Sequence, residues 1–499
     1  MRAPKKRQAR RARPAILCAR LGGHVTLETR AGGEIFARFH GYAVGLGTFS
    51  PSTVRRASDL RTGLPLKSFA TGRRETDREI DVLVRRLARR GLIEYGLRRA
   101  DNKDLVVVEP QVADYSPGTA PLGNNDTLVL SRFAYMRRRG NDLVLESPRA
   151  GALFKISDPG VAASLAKLST PQKIKDLRRQ SSFPGIEFLA LLVDCHILFK
   201  VAPATESNLR SAEGDDDLIV WDFHDLLFHA RSTEGRHANP LGGTYPHAGT
   251  IAPLPAIRTR WPGQKIDLRR FAAAPSQEIS QVTTLLRQRH STRSFDDRRP
   301  ITLAKLAQFL EGSARVLSQA TAAADPGEGI PAIAYTMRPY PSAGASYELE
   351  LYLAVKNCEG LAPGFYHYDA GEHALTLIDV PANALQALLT GAQYAMGADE
   401  TPQILITIAA RFGRVSWKYS ALAYSLILKD VGVLLQTFYL MATAMGLGGC
   451  AVGIANIDLF AKMTGIDFYV EGPVGQFALG RGAETTSPSR DAEAGQNKT

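Results

Sequence analysis

Arg338-Pro-Tyr-Pro-Ser-Ala-Gly-Ala-Ser-Tyr347 is followed, after a gap, by Trp417-Lys-Tyr419. Proline stiffens the entry to a turn, and glycine lets the main chain come close to whatever lies against it. The strand-like run Glu348-Leu-Glu-Leu-Tyr-Leu-Ala-Val355 begins at once, so the turn sits on a rigid edge and can offer main-chain donors to a flat, polar-edged ligand. Lys418 and Tyr419 form a proton-transfer pair only if both reach that same surface. Consecutive side chains diverge on a regular helix, so the backbone at 418–419 must be irregular.

The 499 residues suffice for about three domains, each with its own core. With 44% hydrophobic and 22% charged residues, the chain has the balance of a globular protein. No run of 18 or more apolar residues occurs, which argues against a membrane span or a membrane partner. The basic start, Arg2 to Arg13, leads only into the short Ala15-Ile-Leu-Cys-Ala19, so no secretory signal is read and a cytoplasmic protein is expected. Cys18, Cys195, Cys358 and Cys450 form no Cys-x-x-Cys pair and read as small side chains in reducing surroundings. His224, His229, His237 and His247 repeat no ligand spacing, so no metal site is expected. The net charge of +12 gathers in the basic start and in patches such as Arg137-Arg-Arg139 and Arg269-Arg270. These lack the interleaved aromatics of a base-stacking surface, so nucleic acid is not expected, while attraction of a peptide stays open.

Two similar segments fill the first two hundred residues. Each opens on a strand-like alternation, Val25-Thr-Leu-Glu-Thr29 and Leu143-Val-Leu-Glu146, and closes on a helix running into a strand, within 80–95 and 186–199. This predicts two tandem winged-helix-like modules, 17–115 and 116–202, behind a basic disordered tail, 1–16. The closing helix near Ile186 is apolar, with Asp194 near its end, which suits packing within its own domain and not a DNA groove. An exposed wing edge can instead pair with an extended peptide by strand addition. Residues 203–275, rich in Ser, Gly, Asp and His, read as a connector.

From Ser276 helices and strands alternate, giving an α+β domain over 276–488 and a flexible tail over 489–499. Thr302 is placed to cap a helix over 301–309; Glu348–Val355 and Gln403–Ala410 read as core strands; a long apolar helix spans Tyr424–Met445 and leads into Gly446-Leu-Gly-Gly-Cys450. That glycine turn matches neither a phosphate loop nor a dinucleotide fingerprint. Gln288-Arg-His-Ser-Thr-Arg293 gathers guanidinium, imidazole and hydroxyl groups within six positions, and with Leu479-Gly-Arg481 makes a plausible phosphate pocket.

In this ordered set the chain resembles the nitroreductase-like flavoproteins, and within them the SagB/ThcOx-type azoline dehydrogenases of thiazole/oxazole-modified peptide and cyanobactin biosynthesis. The motifs are Arg289 to Arg293, Arg338 to Gly344, Lys418-Tyr419, the helix with Gln436, Gly446-Leu-Gly448 and Gly480-Arg481. The tandem modules resemble the leader-peptide recognition elements attached to some of these oxidases. Leu422 and Ser425 stand where such proteins often carry arginines, and Gly432-Val433 where they carry Gly-His.

The resemblance implies FMN held across a homodimer interface. Arg289, His290, Ser291 and Arg481 would take the phosphate, with Arg293 and Gln436 also among the cofactor-binding positions. Pro341, Ser342, Ala343 and Gly344 would approach the flavin or its ribityl chain, and Gly448 and Gly449 would line the ring. Lys418 and Tyr419 fall at the catalytic pair. The implied reaction is oxidation of peptide thiazolines or oxazolines to thiazoles or oxazoles, with dioxygen as electron acceptor. An azoline-containing precursor peptide is the expected partner and a cyclodehydratase a further candidate. NAD(P)H-dependent reduction of nitro compounds or quinones, which needs no Lys-Tyr pair, is the alternative enzyme, and a noncatalytic peptide scaffold is the alternative of another class.

Overall fold

The computed structural model describes residues 15–39, 41–69, 72–99, 103–112, 115–118, 120–180, 183–201, 213–233, 268, 277–323, 332–419 and 422–483. Most of the expected basic tail, most of the connector with His237, His247, Arg269 and Arg270, and the C-terminal tail lie outside them. The chain divides into two compact units, Met1–Ala238 and Asn239–Thr499.

In the N-terminal unit, seven antiparallel strands form one sheet in the order Leu64–Pro65, Ile16–Leu21, Ile93–Arg98, Asp104–Pro110, Ala152–Ile156, Asp142–Glu146 and Tyr135–Arg139. Both expected helix-then-strand endings are present. Helix Glu75–Ala88 leads into Ile93–Arg98, and helix Ile186–Asp194 leads into Leu198–Val201. The two modules, however, are not discrete winged helices. The strand Asp104–Pro110 from the first half pairs with Ala152–Ile156 from the second, Val108 opposite Phe154, and a single hydrophobic core runs from Ala19 to Leu198. The cause is local. Leu105, Val106, Val107 and Val108 are all buried, so this strand has two apolar faces and must lie inside a sheet with cover on both sides. The apolar reading of the helix at Ile186 holds, with Phe188 through Leu192 buried.

In the C-terminal unit the six-stranded antiparallel sheet runs Ala374–Ile378, Gly364–Asp369, Leu349–Val355, Ile404–Arg411, Glu471–Gly480 and Gly448–Val452. The two expected core strands are its centre, and every residue from Ile404 to Ala410 is buried. Alternate side chains serve opposite faces. Ala478 joins a core with Leu388, Ala392 and Phe460 from helices Ala382–Met396 and Ile457–Thr464. Phe477 meets Phe309 and Phe438 from helices Leu303–Ala314 and Ala423–Ala444. Thr302 caps the Leu303–Ala314 helix as expected, its hydroxyl accepting from Lys305 N at 3.2 Å.

Among the described residues one helix, Ala423–Ala444, is long and apolar enough to cross a membrane, which the run-length reading did not register. Ile427, Val431, Leu434, Phe438 and Ala442 are buried against neighbouring helices and strands, and a third of the apolar window is buried in all.

Phe154 lies on the strand that joins the two halves of the N-terminal unit and packs edge-on against Phe188 with ring centroids 6.2 Å apart. Phe154→Ala is expected to destabilise that unit by about 3–5 kcal/mol. Hydrogen exchange should show peptides from both 15–112 and 120–201 losing protection together; loss confined to one half would contradict the shared core.

Candidate functional site

The segment 289–293 leaves the helix Gln277–Gln288 and is tied down from two directions. Thr292 N donates to Gly449 O at 2.8 Å, and the Ser291 hydroxyl lies 2.8 Å from the Tyr439 hydroxyl, which also accepts from Ala451 N. The Arg289 guanidinium sits 5.0 Å over the Tyr439 ring. Arg481 comes from the far end of the last strand. The buried Gln403 stitches it to this segment: its Oε1 accepts from Arg481 N and Ile301 N, and its Nε2 donates to Asp296 O. A cavity of about 320 Å³ has a lining that includes His290, Thr292, Tyr439, Gly448, Gly449 and Gly482; of the expected phosphate residues only His290 is in its lining, while Arg289, Ser291 and Arg481 are not. Glycine is required at 448, where a Cβ would stand 2.6 Å from Thr292 Cγ2.

The turn 341–344 is held separately. Asp430, from the Ala423–Ala444 helix, accepts from Ala343 N at 2.8 Å and from the Ser342 hydroxyl at 3.0 Å. The Ser342 hydroxyl also lies 3.2 Å from Oε2 of the fully buried Glu348, and its one hydrogen can serve only one of the two carboxyls. Burial and the neighbouring Asp430 charge push the Glu348 carboxyl up to about 7. Gly344 is left-handed at φ 56°, as are the non-glycine residues Ala345 and Tyr347 at 54° and 45°. Such conformations cost about 1–3 kcal/mol each unless their surroundings enforce them, and they gather at functional sites.

Lys418 and Tyr419 follow the short helix Phe412–Ser416. Their two amides both donate to Val415 O, at 3.0 and 2.9 Å, so the backbone leaves the helix at this point. Lys418 Nζ donates to Gly344 O at 3.2 Å, and a Cβ added at Gly344 would meet the Tyr419 hydroxyl and lie 2.6 Å from Lys418 Nζ. Ammonium and phenol thus converge on the glycine of the turn.

Asp430 and Tyr439 are nine positions apart on one helix, a rise of about 13 Å. One holds the turn beside Lys418 and Tyr419; the other holds the Arg289–Thr292 segment. The arrangement suits an elongated ligand with an anionic end. Arg481 Nε is buried without a hydrogen-bond partner. Arg293 and Gln436, like His290, are exposed. Glu348, Gln403, Asp430 and Tyr439 were missed as tethers. A single acid inside the apolar run 423–444 was the available signal for Asp430. Among the described residues, Asp222, His224 and Asp225 each bring a ligand atom within 4.8 Å of the others, which the histidine spacing did not suggest.

A curated protein of Methanocaldococcus jannaschii, named as a nitroreductase, is 30% identical over 179 residues, covering 36% of this chain and 81% of the relative. The chain belongs to the nitroreductase family. The family profile matches residues 286–481, and a profile of the cyanobactin oxidase ThcOx matches residues 128–238. Among solved structures, a nitroreductase of Ralstonia eutropha is similar at 23% identity, over 50% of this chain and 99% of that one, with a TM-score of 0.32. The Escherichia coli microcin synthetase McbBCD complex with truncated pro-MccB17 is similar at 19% identity, over 54% and 97%, with a TM-score of 0.37. A nitroreductase of Desulfovibrio desulfuricans in complex with FMN is similar at 15% identity, over 44% and 96%, with a TM-score of 0.26.

Membership brings an FMN-binding oxidoreductase with it. The unpartnered Arg481 Nε and the cavity lined by His290, Thr292, Gly448 and Gly449 are groups available to a flavin phosphate. Arg481→Ala removes a charge-assisted donor and is expected to weaken FMN binding by about tenfold to a hundredfold. Flavin fluorescence titration checks this, and unchanged affinity would remove Arg481 from the phosphate site.

Proposed function

We propose that the C-terminal unit oxidises a peptide thiazoline or oxazoline to the aromatic thiazole or oxazole. The single observation behind this reading is the convergence of Lys418 and Tyr419 on Gly344. When bound, FMN supplies the two-electron acceptor. Arg289, His290, Ser291 and Arg481 hold its phosphate, the turn 341–344 and Gly448-Gly449 approach the ring system, and dioxygen takes the electrons in the end. Tyr419 or Lys418 removes the azoline ring proton, while the departing hydride completes the loss of two hydrogens. Positioning carries the rest of the acceleration.

The match over residues 128–238 to a cyanobactin oxidase profile supports a peptide substrate, gripped by the N-terminal unit through a sheet edge. On this reading 17–115 and 116–202 remain the two halves of the recognition region, 203–275 leads the peptide onward, and 276–488 is the flavin domain of a homodimer, with a cyclodehydratase as a further partner. Four free, buried cysteines suit a cytoplasmic setting.

The second reading, NAD(P)H-dependent reduction of nitro compounds or quinones, has the broader backing from the family match and the curated relative. It leaves the Lys418-Tyr419 geometry without a task. Aerobic incubation with an azoline peptide is expected to remove two hydrogens per ring by mass spectrometry, and Tyr419→Phe with Lys418→Ala to slow turnover by about a hundredfold or more. Rapid bleaching of the flavin by NAD(P)H, with no mass change in any azoline peptide, would establish the reductase instead.

A further inference from the structure

We propose that Glu348 and Asp430 share one proton, and that this shared proton clamps the turn 341–344 to the Ala423–Ala444 helix, making both carboxyls positioning residues for the cofactor site. Asp430 grips the turn twice, through Ala343 N and the Ser342 hydroxyl. Ser342 in turn bonds Glu348 and accepts from Tyr347 N at 3.0 Å, so one hydroxyl links both carboxyls to a backbone held in left-handed geometry. Glu348 is fully buried, and its Oε1 has no hydrogen-bond donor. A carboxylate oxygen so placed is costly, whereas the acid form carries its own donor, and the Ser342 hydroxyl, with one hydrogen between two carboxyls, leaves room for that proton on the bridged pair.

The charged groups around the turn bond main-chain oxygens and not these carboxyls. Arg338 donates through Nη1 to Leu349 O while its Nε is buried without a hydrogen-bond partner, Arg414 donates to Ser346 O, and Lys418 to Gly344 O of the turn itself. The Tyr340 phenol, buried beside the segment, is held above its usual range and stays neutral. Glu350 and Arg411, on adjoining strands, face one another at 3.6 Å. With no cation bonded to it, the Glu348–Asp430 pair cannot lose its last proton without placing two negative charges together in a buried site.

The sign of the effect follows. The folded protein binds Glu348's proton more tightly than the unfolded chain does, so its contribution is complete below the ordinary carboxyl range and is lost as pH rises toward about 7. The clamp is tightest in acid and loosens through neutrality.

This inference rests on the turn facing FMN, and the test separates the two. FMN affinity and the melting transition of the full-length apoprotein are measured from about pH 5 to about pH 8. Glu348→Gln, neutral at every pH, is expected to flatten both profiles, so that its affinity advantage over the native protein grows by about tenfold across the range. The flavin phosphate ionises in the same window, but equally for both proteins, and cancels in their ratio. Asp430→Asn, which removes the neighbouring charge, is expected to move the native transition to lower pH. Asp430→Ala is expected to weaken FMN binding at every pH. Profiles of Glu348→Gln and Asp430→Asn that superpose on the native one, in both measurements, would overturn the shared proton. If Glu348→Gln does not fold, Asp430→Asn decides alone. If native protein does not bind FMN, the cofactor reading fails and the melting profiles still decide the clamp.

Discussion

The C-terminal unit depends on one helix serving two masters. Ala423–Ala444 buries Ile427, Val431, Leu434 and Phe438 in the core, and the same rigid rod presents Asp430 and Tyr439 to two loops far apart in sequence. Burial of each large apolar side chain is worth about 1.5–3 kcal/mol, so the rod's position is set by packing and not by the polar contacts it makes. The polar tethers exploit a placement already secured. Precise spacing between the Arg289–Thr292 segment and the 341–344 turn is therefore inherited from the hydrophobic core.

Strain and charge are concentrated where that rod meets the turn. Three left-handed residues, a buried glutamate and an aspartate on an apolar helix all lie within one hydrogen-bonded network. None of these is favourable alone. Together they fix a backbone that would otherwise relax, and so keep Gly344 open for close approach between the turn and the Lys418-Tyr419 pair. The nitroreductase family explains the cofactor chemistry, and the proposed azoline oxidation is what would give the pair at 418–419 a task.

The N-terminal unit follows a different rule. Its two halves look alike in pattern, yet Leu105 to Val108 commits the first half to sharing a sheet with the second. A strand apolar on both faces has no exposed side to give to solvent, so the repeat cannot exist as two independent bodies. The shared seven-stranded sheet has its edges at Leu64–Pro65 and Tyr135–Arg139, and two separate three-stranded sheets, one holding Leu198–Val201 and one holding Glu34–Phe39, lie outside it.

Local pattern by itself determined the elements: the core strands at 349–355 and 404–411, the Thr302 cap, the helix after Leu422, and the glycine turns, because periodicity and capping are written in neighbouring residues. The motif set also marked Arg289 to Ser291, Pro341 to Gly344, Lys418, Tyr419 and Arg481 before any geometry was known. Only the tertiary structure decided which of these meet. Gln403 joining Arg481 to Asp296, Tyr439 holding Ser291, and Asp430 holding Ser342 are contacts between residues roughly eighty or more positions apart, and no local pattern encodes a partner at that distance. The merging of the two N-terminal halves is of the same kind: burial on a second face depends on what another segment brings to it.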